Sequence, residues 1–206
     1  MTTISINAEY LRLAHLFTTT DDTRYYLKGV QIEPHPTDDG ILIIATDGHK
    51  AAVFYDREGY VDENMLIAFD KPFLASLKQE RNENFIRRVT VRHDRLVTMS
   101  TDTDGELFEE KHIKPGPMLI DGTFPDWRRI MPDITTPGPV PAFNSAYIKI
   151  FQQVSSALTV ATAPSIKITA QDLNGRMQIT CGHQDFFGVL MPIKGDHITD
   201  HQPAWL

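Results

Sequence analysis

A chain of 206 residues is long enough to bury a hydrophobic core in one or two domains, and 41% hydrophobic with 23% charged residues is typical of globular proteins. No apolar run approaches the roughly 20 residues of a membrane span, and the first residues lack the regions of a signal peptide. A net charge of −7 argues against a wholly basic nucleic-acid binder, although it allows a basic face on an acidic body. The single cysteine, Cys181, excludes an internal disulfide and fits a reducing, cytoplasmic location.

Hydrophobic alternation and turn residues predict two successive units, 1–60 and 61–133. The elements predicted in the first unit are a strand at 3–6, a helix at 8–17 and strands at 25–33, 40–45 and 50–55. Those predicted in the second unit are a strand at 65–69, a helix at 71–79 and strands at 88–93, 95–101 and 106–113, joined by turns at 93–94 and 102–105. Asp38-Asp39-Gly40 and Asp47-Gly48 are typical hairpin turns of the first unit.

Residues 115–139 carry six prolines and little periodicity, so we interpret them as a long connector. A third unit, 134–194, follows. Its predicted elements are a helix at 145–158 and strands at 165–170, 176–181 and 185–193. Asn174-Gly175 is the strongest hairpin signal in the chain, and residues 195–206 form a polar tail that we interpret as loose.

The helix of every unit begins with the same short motif: an apolar residue, Asn or Asp, two further residues, an aromatic residue and an aliphatic residue. The three occurrences are Ile6-Asn7…Tyr10-Leu11, Phe69-Asp70…Phe73-Leu74 and Phe143-Asn144…Tyr147-Ile148. Asn and Asp are good N-caps, and an apolar residue before the cap packs against the first helical turns. Spacings of 63 and 74 residues indicate a repeated unit of strand, helix and three strands. Because two such units normally close one α+β domain, three of them predict a complete domain at 1–133 and a half domain at 134–194.

Longer motifs carry a resemblance to a known family. They are Arg24-Tyr25-Tyr26-Leu27-Lys28-Gly29-Val30, Ala45-Thr46-Asp47-Gly48-His49-Lys50-Ala51, the stretch 120–132 (IDGTFPDWRRIMP) and Val189-Leu190-Met191-Pro192-Ile193. In this order they resemble the bacterial DNA polymerase III beta sliding clamp, over roughly residues 4–194. The match is to its middle domain followed by the second half of its third domain. The resemblance implies a DNA-clamp fold and a DNA polymerase processivity factor, without a cofactor.

The resemblance also implies a pocket that holds short linear peptides of clients: DNA polymerase, the clamp loader and other clamp-binding proteins. By matching motif positions, its walls would be Leu27, Thr46, Gly48, His49, Lys50, Ala51, Pro125, Arg129, Ile130, Val189, Met191, Pro192 and Ile193. The apolar members offer a socket for an aromatic or leucine anchor, and methionine repacks readily around different side chains. Where the family usually has Arg and Leu, this chain has Lys50 and Ala51, so one subsite and its peptide preference are expected to differ.

Plainer interpretations of the same motifs stay open. Thr46-Asp47-Gly48-His49 also reads as a simple turn, in which Asp47 caps and Gly48 takes a positive φ. Phe124, Trp127 and Ile130 also read as anchors that hold the connector on the body of the protein.

In the family, the helices line a central hole and contact the phosphates of double-stranded DNA without reading sequence. The candidates here are Arg12, His15, Lys71, Lys78 and Lys149 on the helices and Arg24, Tyr25 and Tyr26 in a loop. An aromatic pair can stack on bases or sugars. The alternative is an ordinary solvated face, since the cations are scattered and Glu9 and Glu80 dilute them. Any binding is expected to be weak and strongly salt-dependent.

An enzyme is the competing class, and the sequence offers little for it. No Cys-x-x-Cys, Gly-x-Ser-x-Gly or phosphate-loop pattern occurs. Asp47 with His49 and Asp185 near His183 are pairs that turns supply routinely.

The resemblance leaves the assembly open. The family ring contains twelve units, so four copies of three units would be the simplest closed homo-oligomer. The alternative is a monomer or small oligomer that acts as a non-ring adaptor or decoy and sequesters clamp clients. The end of the tail, Gln202-Pro203-Ala204-Trp205-Leu206, resembles the family's client peptide, which begins with Gln and ends in two bulky apolar residues. The sequence leaves two interpretations open: the tail binds in the pocket, or the tail is loose.

Overall fold

The computed structural model describes residues 4–78, 86–92, 95–101, 107–113, 118–160 and 163–193. The strands in these ranges are β1 (Ile4–Asn7), β2 (Val30–Pro34), β3 (Ile41–Thr46), β4 (Lys50–Asp56), β5 (Tyr60–Val61), β6 (Met65–Ala68), β7 (Ile86–Arg92), β8 (Arg95–Thr101), β9 (Leu107–Ile113), β10 (Met118–Leu119), β11 (Lys167–Thr169), β12 (Met177–Thr180) and β13 (Phe186–Leu190). The helices are α1 (Ala8–His15), α2 (Lys71–Ser76) and α3 (Ile148–Leu158), with 3₁₀ helices at Asp22–Leu27, Trp127–Ile130 and Ser145–Tyr147.

The strands form two antiparallel sheets in which the first two units exchange their first strands. β1 joins the second unit in a sheet ordered β5-β1-β7-β8-β9, whereas β6 joins the first unit by pairing with β2. The third unit then adds its strands to β4, so the second sheet runs β10-β6-β2-β3-β4-β13-β12-β11. The predicted α+β fold of repeated units is confirmed. We call the pairing of β4 with β13, from Phe54↔Phe186 to Lys50↔Leu190, the seam.

The three predicted N-caps are confirmed. The side chains of Asn7, Asp70 and Asn144 each accept backbone N–H groups from two or three residues further on, at 2.8–3.2 Å. The apolar stripes that follow the caps are buried in one hydrophobic core, and their members include Leu11, Ala14, Phe17, Leu77, Phe151 and Val154. The Phe17 and Phe151 rings meet edge to face at 5.3 Å, which ties α1 of the first unit to α3 of the third.

One predicted strand begins later than expected. Residues 25–27 belong to the 3₁₀ helix Asp22–Leu27, and β2 starts only at Val30. Asp21 organises this helix: its side chain accepts the Thr23 N–H at 2.9 Å and the Arg24 Nε–H at 3.2 Å. This local capping outweighs the strand preference of the two tyrosines.

The third unit departs from the predicted pattern in two places. Its apolar lead-in before Asn144 forms no strand, and the predicted helix opens as the 3₁₀ turn Ser145–Tyr147. The predicted hairpin is present, but its turn begins at Asp172, whose side chain accepts the Asn174 N–H at 2.7 Å and whose carbonyl accepts the Gly175 N–H at 3.3 Å. An Asx turn thus places Asn-Gly at the end of the turn. The helix predicted at 71–79 is shorter in the structure, because it ends at Ser76 and Leu77 is its C-cap. The turns predicted at 93–94 and 102–105 and the tail 195–206 lie outside the described residues.

Candidate functional site

A cavity of about 110 Å³ opens at one end of the seam, on the face of the sheet that points away from the helices. Its lining comes from segments far apart in the chain. The lining residues are Leu27, Thr46, Gly48, Lys50, Ala51, Pro125, Ile130, Val189 and Met191. All nine belong to the predicted peptide pocket, and the volume suits one bulky apolar side chain. We call this cavity the seam pocket.

Strand geometry explains why these side chains converge. Thr46 lies opposite Ala51 in the β3–β4 pair, and Ala51 lies opposite Val189 across the seam. The three side chains therefore form a row on one face of the sheet. Their neighbours Ala52 and Leu190 face the other way, into the core beneath the helices.

The turn between β3 and β4 is built around Asp47. Its Oδ1 accepts the backbone N–H groups of His49 at 2.8 Å and Lys50 at 2.9 Å. Thr46 Oγ1 accepts the Gly48 N–H at 3.0 Å and donates to the Lys50 carbonyl at 2.8 Å. Gly48 has a φ of +90°, a conformation that favours glycine. The segment is thus a strongly hydrogen-bonded turn and also one wall of the seam pocket.

The connector forms the wall opposite the turn. Its large side chains pack on the outer face of the second sheet, and they are Phe124, Trp127 and Met131. The Arg128 guanidinium lies 4.4 Å from the Trp127 ring and pairs with Glu33 of β2. These contacts hold the 3₁₀ helix Trp127–Ile130 on the sheet and bring Pro125 and Ile130 to the seam pocket.

The other four predicted residues do not line the cavity, although each lies within two positions of a lining residue; they are His49, Arg129, Pro192 and Ile193. His49 is exposed, and its ring stacks on Tyr147 with centroids 6.4 Å apart. Its carbonyl accepts the Met191 N–H at 2.8 Å, which joins the turn to the third unit. Ile193 remains 37% exposed and Arg129 is exposed, so both side chains are accessible to solvent.

Two polar residues beside the seam pocket were missed by the sequence prediction of the site. Asp47 forms an ion pair with the buried Lys50, with Nζ–Oδ2 at 2.6 Å. Tyr147 lies on the helix side of the seam, where burial raises the pKa of its phenol and the charge of Asp47 raises it further. The sequence indicated Asp47 as a turn residue and Tyr147 as a helix-start residue. The contact of Tyr147 with Lys50 depends on the position of the third unit, which no local pattern specifies.

A second, open groove of about 540 Å³ follows β6 and β10 on the same sheet. No sequence signal predicted it, and acidic Glu63 and Asp121 share its lining with Met65 and Leu119. Within the described residues, no three His, Cys, Asp or Glu side chains come together as a metal site. No helix in that part of the chain is long and apolar enough to cross a membrane.

The two Asp–His pairs considered for catalysis have other contacts. Asp47 holds the turn and Lys50, as described above. Asp185 pairs with Arg57 at 2.9 Å and accepts the Tyr10 hydroxyl at 3.2 Å, while its N–H donates to His183 Nδ1 at 3.3 Å. The bond between Tyr10 and Asp185 connects α1 to the end of the seam that lies away from the seam pocket.

Solved structures of bacterial sliding clamps have a similar architecture. The Bartonella birtlesii sliding clamp (DNA polymerase III subunit beta), solved with griselimycin bound, superposes with a TM-score of 0.62 and 16% identity, over 94% of this chain and 66% of that one. The Caulobacter crescentus polymerase III beta gives 0.59 and 14%, over 94% and 66%. The Bacillus subtilis sliding clamp gives 0.55 and 13%, over 94% and 64%. This chain has the sliding-clamp fold.

The clamp fold is recognisable from the structure and not from whole-sequence comparison. No family model matches the sequence, and no curated protein does. The chain spans about two thirds of the length of the three solved clamps, 64–66%. At identities of 13–16%, the likeness establishes the fold.

Within the clamp fold, the predicted DNA-contacting residues differ in how free their side chains are. Lys71, Lys78 and Lys149 are exposed, and Tyr25 is 51% exposed beside Tyr26. Two arginines are engaged within the protein: Arg12 donates to Glu9 at 2.8 Å, and Arg24 bonds both Asp21 and the Asp47 carbonyl. Among these candidates, the exposed cations are therefore the three lysines of α2 and α3 and their flanks.

His15 is half-buried on α1, and burial lowers its pKa from the ordinary value of 6.5, with a further contribution from the charge of Lys71. The unfolded chain therefore takes up this proton first as the pH falls, so stability is complete above pH 6.5 and declines below it. We expect the difference in free energy of unfolding between the wild type and His15→Gln to be constant above pH 6.5 and to fall below it. Urea unfolding over a pH series measures this, and Lys71→Gln should reduce the fall; a difference flat across the whole series would contradict it.

Proposed function

We propose that this chain is a sliding-clamp-like DNA polymerase processivity factor that binds the clamp-recognition peptides of its clients in the seam pocket. The observation that carries the proposal is the convergence of nine predicted positions on one cavity between the units of a clamp fold. Leu27, Ile130 and Met191 supply an apolar socket for a bulky anchor. The exposed His49 and Arg129, each adjacent in sequence to a lining residue, are suited to hold the polar end of a peptide.

The clients we infer are a DNA polymerase, a clamp loader or other proteins that carry a short peptide with Gln at its start and two bulky apolar residues at its end. Binding is tested with two probes, the synthetic pentapeptide Gln-Pro-Ala-Trp-Leu and griselimycin, which was bound to the Bartonella clamp when that protein was solved. Saturable binding of either probe in calorimetry, lost in seam pocket variants, supports the proposal. No binding of either probe would contradict it.

We also infer that the exposed lysines give the helix face a weak, sequence-independent contact with double-stranded DNA. Affinity for duplex DNA should then fall steeply with salt, and replacing Lys71, Lys78 and Lys149 by Gln should reduce the slope of that dependence. A slope unchanged by the triple substitution would place any DNA contact elsewhere.

The oligomeric state in solution distinguishes a ring-forming clamp from a non-ring adaptor. If copies of the 206-residue chain close a twelve-unit ring, light scattering at several protein concentrations should show a stable species of about 93 kDa, four times 23.3 kDa. Such a ring would pair the sheet edges that have no partner strand among the described residues, at β9 and β11 for example. A persistent 23.3 kDa monomer would contradict a self-assembled ring and favour an adaptor or decoy that sequesters clients.

A further inference from the structure

The side chain of Lys50 points away from the seam pocket. Lys50 contributes to the lining of the cavity, yet alternation along β4 directs its side chain to the opposite face, beneath the helices. Only 4% of the residue is exposed, although lysine is rarely buried without a partner. Its ammonium is therefore placed where a peptide in the pocket does not reach it.

Three partners from separate parts of the fold surround this ammonium. Asp47 in the β3–β4 turn accepts it at 2.6 Å. The ring of Phe17, after α1, has its centroid 5.7 Å away, and the ring of Tyr147, just before α3, has its centroid at 5.4 Å. Both distances lie in the range of cation–π attraction, which strengthens when the cation is desolvated.

These contacts join the turn that forms one wall of the seam pocket to the third unit, which supplies another part of its lining. Asp47 belongs to the turn that carries Thr46 and Gly48 on the first unit's side of the cavity. Tyr147 belongs to the third unit, which supplies Met191 on the other side. The turn and the third unit also meet through the hydrogen bond from the Met191 N–H to the His49 carbonyl, at 2.8 Å.

We propose that Lys50 is a positioning residue, whose buried ammonium holds the third unit against the β3–β4 turn. It thereby sets the spacing between the pocket-lining residues of the turn and those of the third unit without touching the peptide. Its role is to preorganise the site, and its loss should weaken ligand binding through geometry. The inference rests on the proposed function, because ligand affinity is one of its readouts.

The test compares Lys50→Met, which keeps the length of the side chain and removes its charge, with Lys50→Arg, which keeps the charge. The matched control is Lys167→Met on the exposed edge strand β11. We expect Lys50→Met to weaken binding of the pentapeptide and griselimycin by about three- to thirtyfold, Lys50→Arg to restore much of it, and the control to leave it unchanged. If circular dichroism shows that Lys50→Met does not fold, the double variant Asp47→Asn/Lys50→Met replaces it, because it leaves no unpaired carboxylate at position 47.

A second readout needs no ligand. The ionisation of the Tyr147 phenol can be followed by ultraviolet absorbance, as the difference from the Tyr147→Phe variant. In Lys50→Met this ionisation should shift to higher pH, because the nearby cation favours the phenolate. The charged groups that face this phenol are Asp47 and Lys50, and His49 stacks on its ring. An unchanged titration would overturn the placement of the ammonium.

The outcomes distinguish the two proposals. If the wild type binds neither probe, the proposed function fails and the inference falls with it. If the wild type binds and Lys50→Met binds equally well with a stable fold, the positioning role alone is overturned.

Discussion

Replacing Met191 by Asp is expected to weaken binding of the pentapeptide and of griselimycin by at least about thirtyfold, which corresponds to the roughly 2 kcal/mol that defines a binding hot spot. Met191 lines the seam pocket from the third unit and is only half-buried, so the substitution changes the socket while sparing the core. A carboxylate there must either be desolvated by an apolar anchor or keep the anchor out. Isothermal titration calorimetry with wild type and variant under the same buffer measures the loss.

The matched control is Leu173→Asp, because Leu173 is 60% exposed in the β11–β12 turn of the same unit. It carries the same chemical change and should leave both affinities unaltered. Ile130→Asp, on the connector wall, should reproduce the effect of Met191→Asp, since the two residues line the same cavity. Equal binding by wild type and both pocket variants would mean that the ligands bind elsewhere, and would remove the seam pocket from the proposed function.

Replacing Asp56 by Ala is expected to lower the free energy of unfolding by about 3–5 kcal/mol, the usual cost of stranding one partner of a buried ion pair. Asp56 is 4% exposed at the end of β4. Its carboxylate accepts two bonds from Arg88 of β7, at 2.8 and 3.3 Å, and the N–H of Asn7 at 2.7 Å. These bonds join the two sheets at the point where the first two units exchange strands. The loss should appear as a lower urea midpoint with an unchanged slope.

Glu58→Gln is the control for this prediction. Glu58 also approaches Arg88, at 3.9 Å, but its side chain is 73% exposed. Water screens such a pair, so its removal should change stability by no more than about 0.5 kcal/mol. Similar losses for Asp56→Ala and Glu58→Gln would show that the carboxylate of Asp56 is not the strong link between the sheets.

Some of the candidate site was predictable because its residues act on their immediate neighbours. Asp47 and Gly48 form the turn that their identities indicate, since an Asx turn and a positive φ depend on two or three adjacent residues. The positions of the pocket lining came from matching short motifs to a known family, and the structure brings nine of them together. The placement of Phe17 and Tyr147 around Lys50 was not predictable, since no local pattern specifies which helical segment will cover a strand.

The amino-acid sequence by itself determined the local features: the N-caps at Asn7, Asp70 and Asn144, the alternation of the strands, and the repeat of a capped helix followed by three strands. Each depends on hydrogen bonds and apolar spacing within one turn or one strand. Only the tertiary structure decided that β1 and β6 change places, that β13 extends the first unit's sheet along the seam, and that Lys50 turns inward. Those outcomes depend on the pairing of distant strand edges and the burial of shared faces, which residues far apart in the chain settle together.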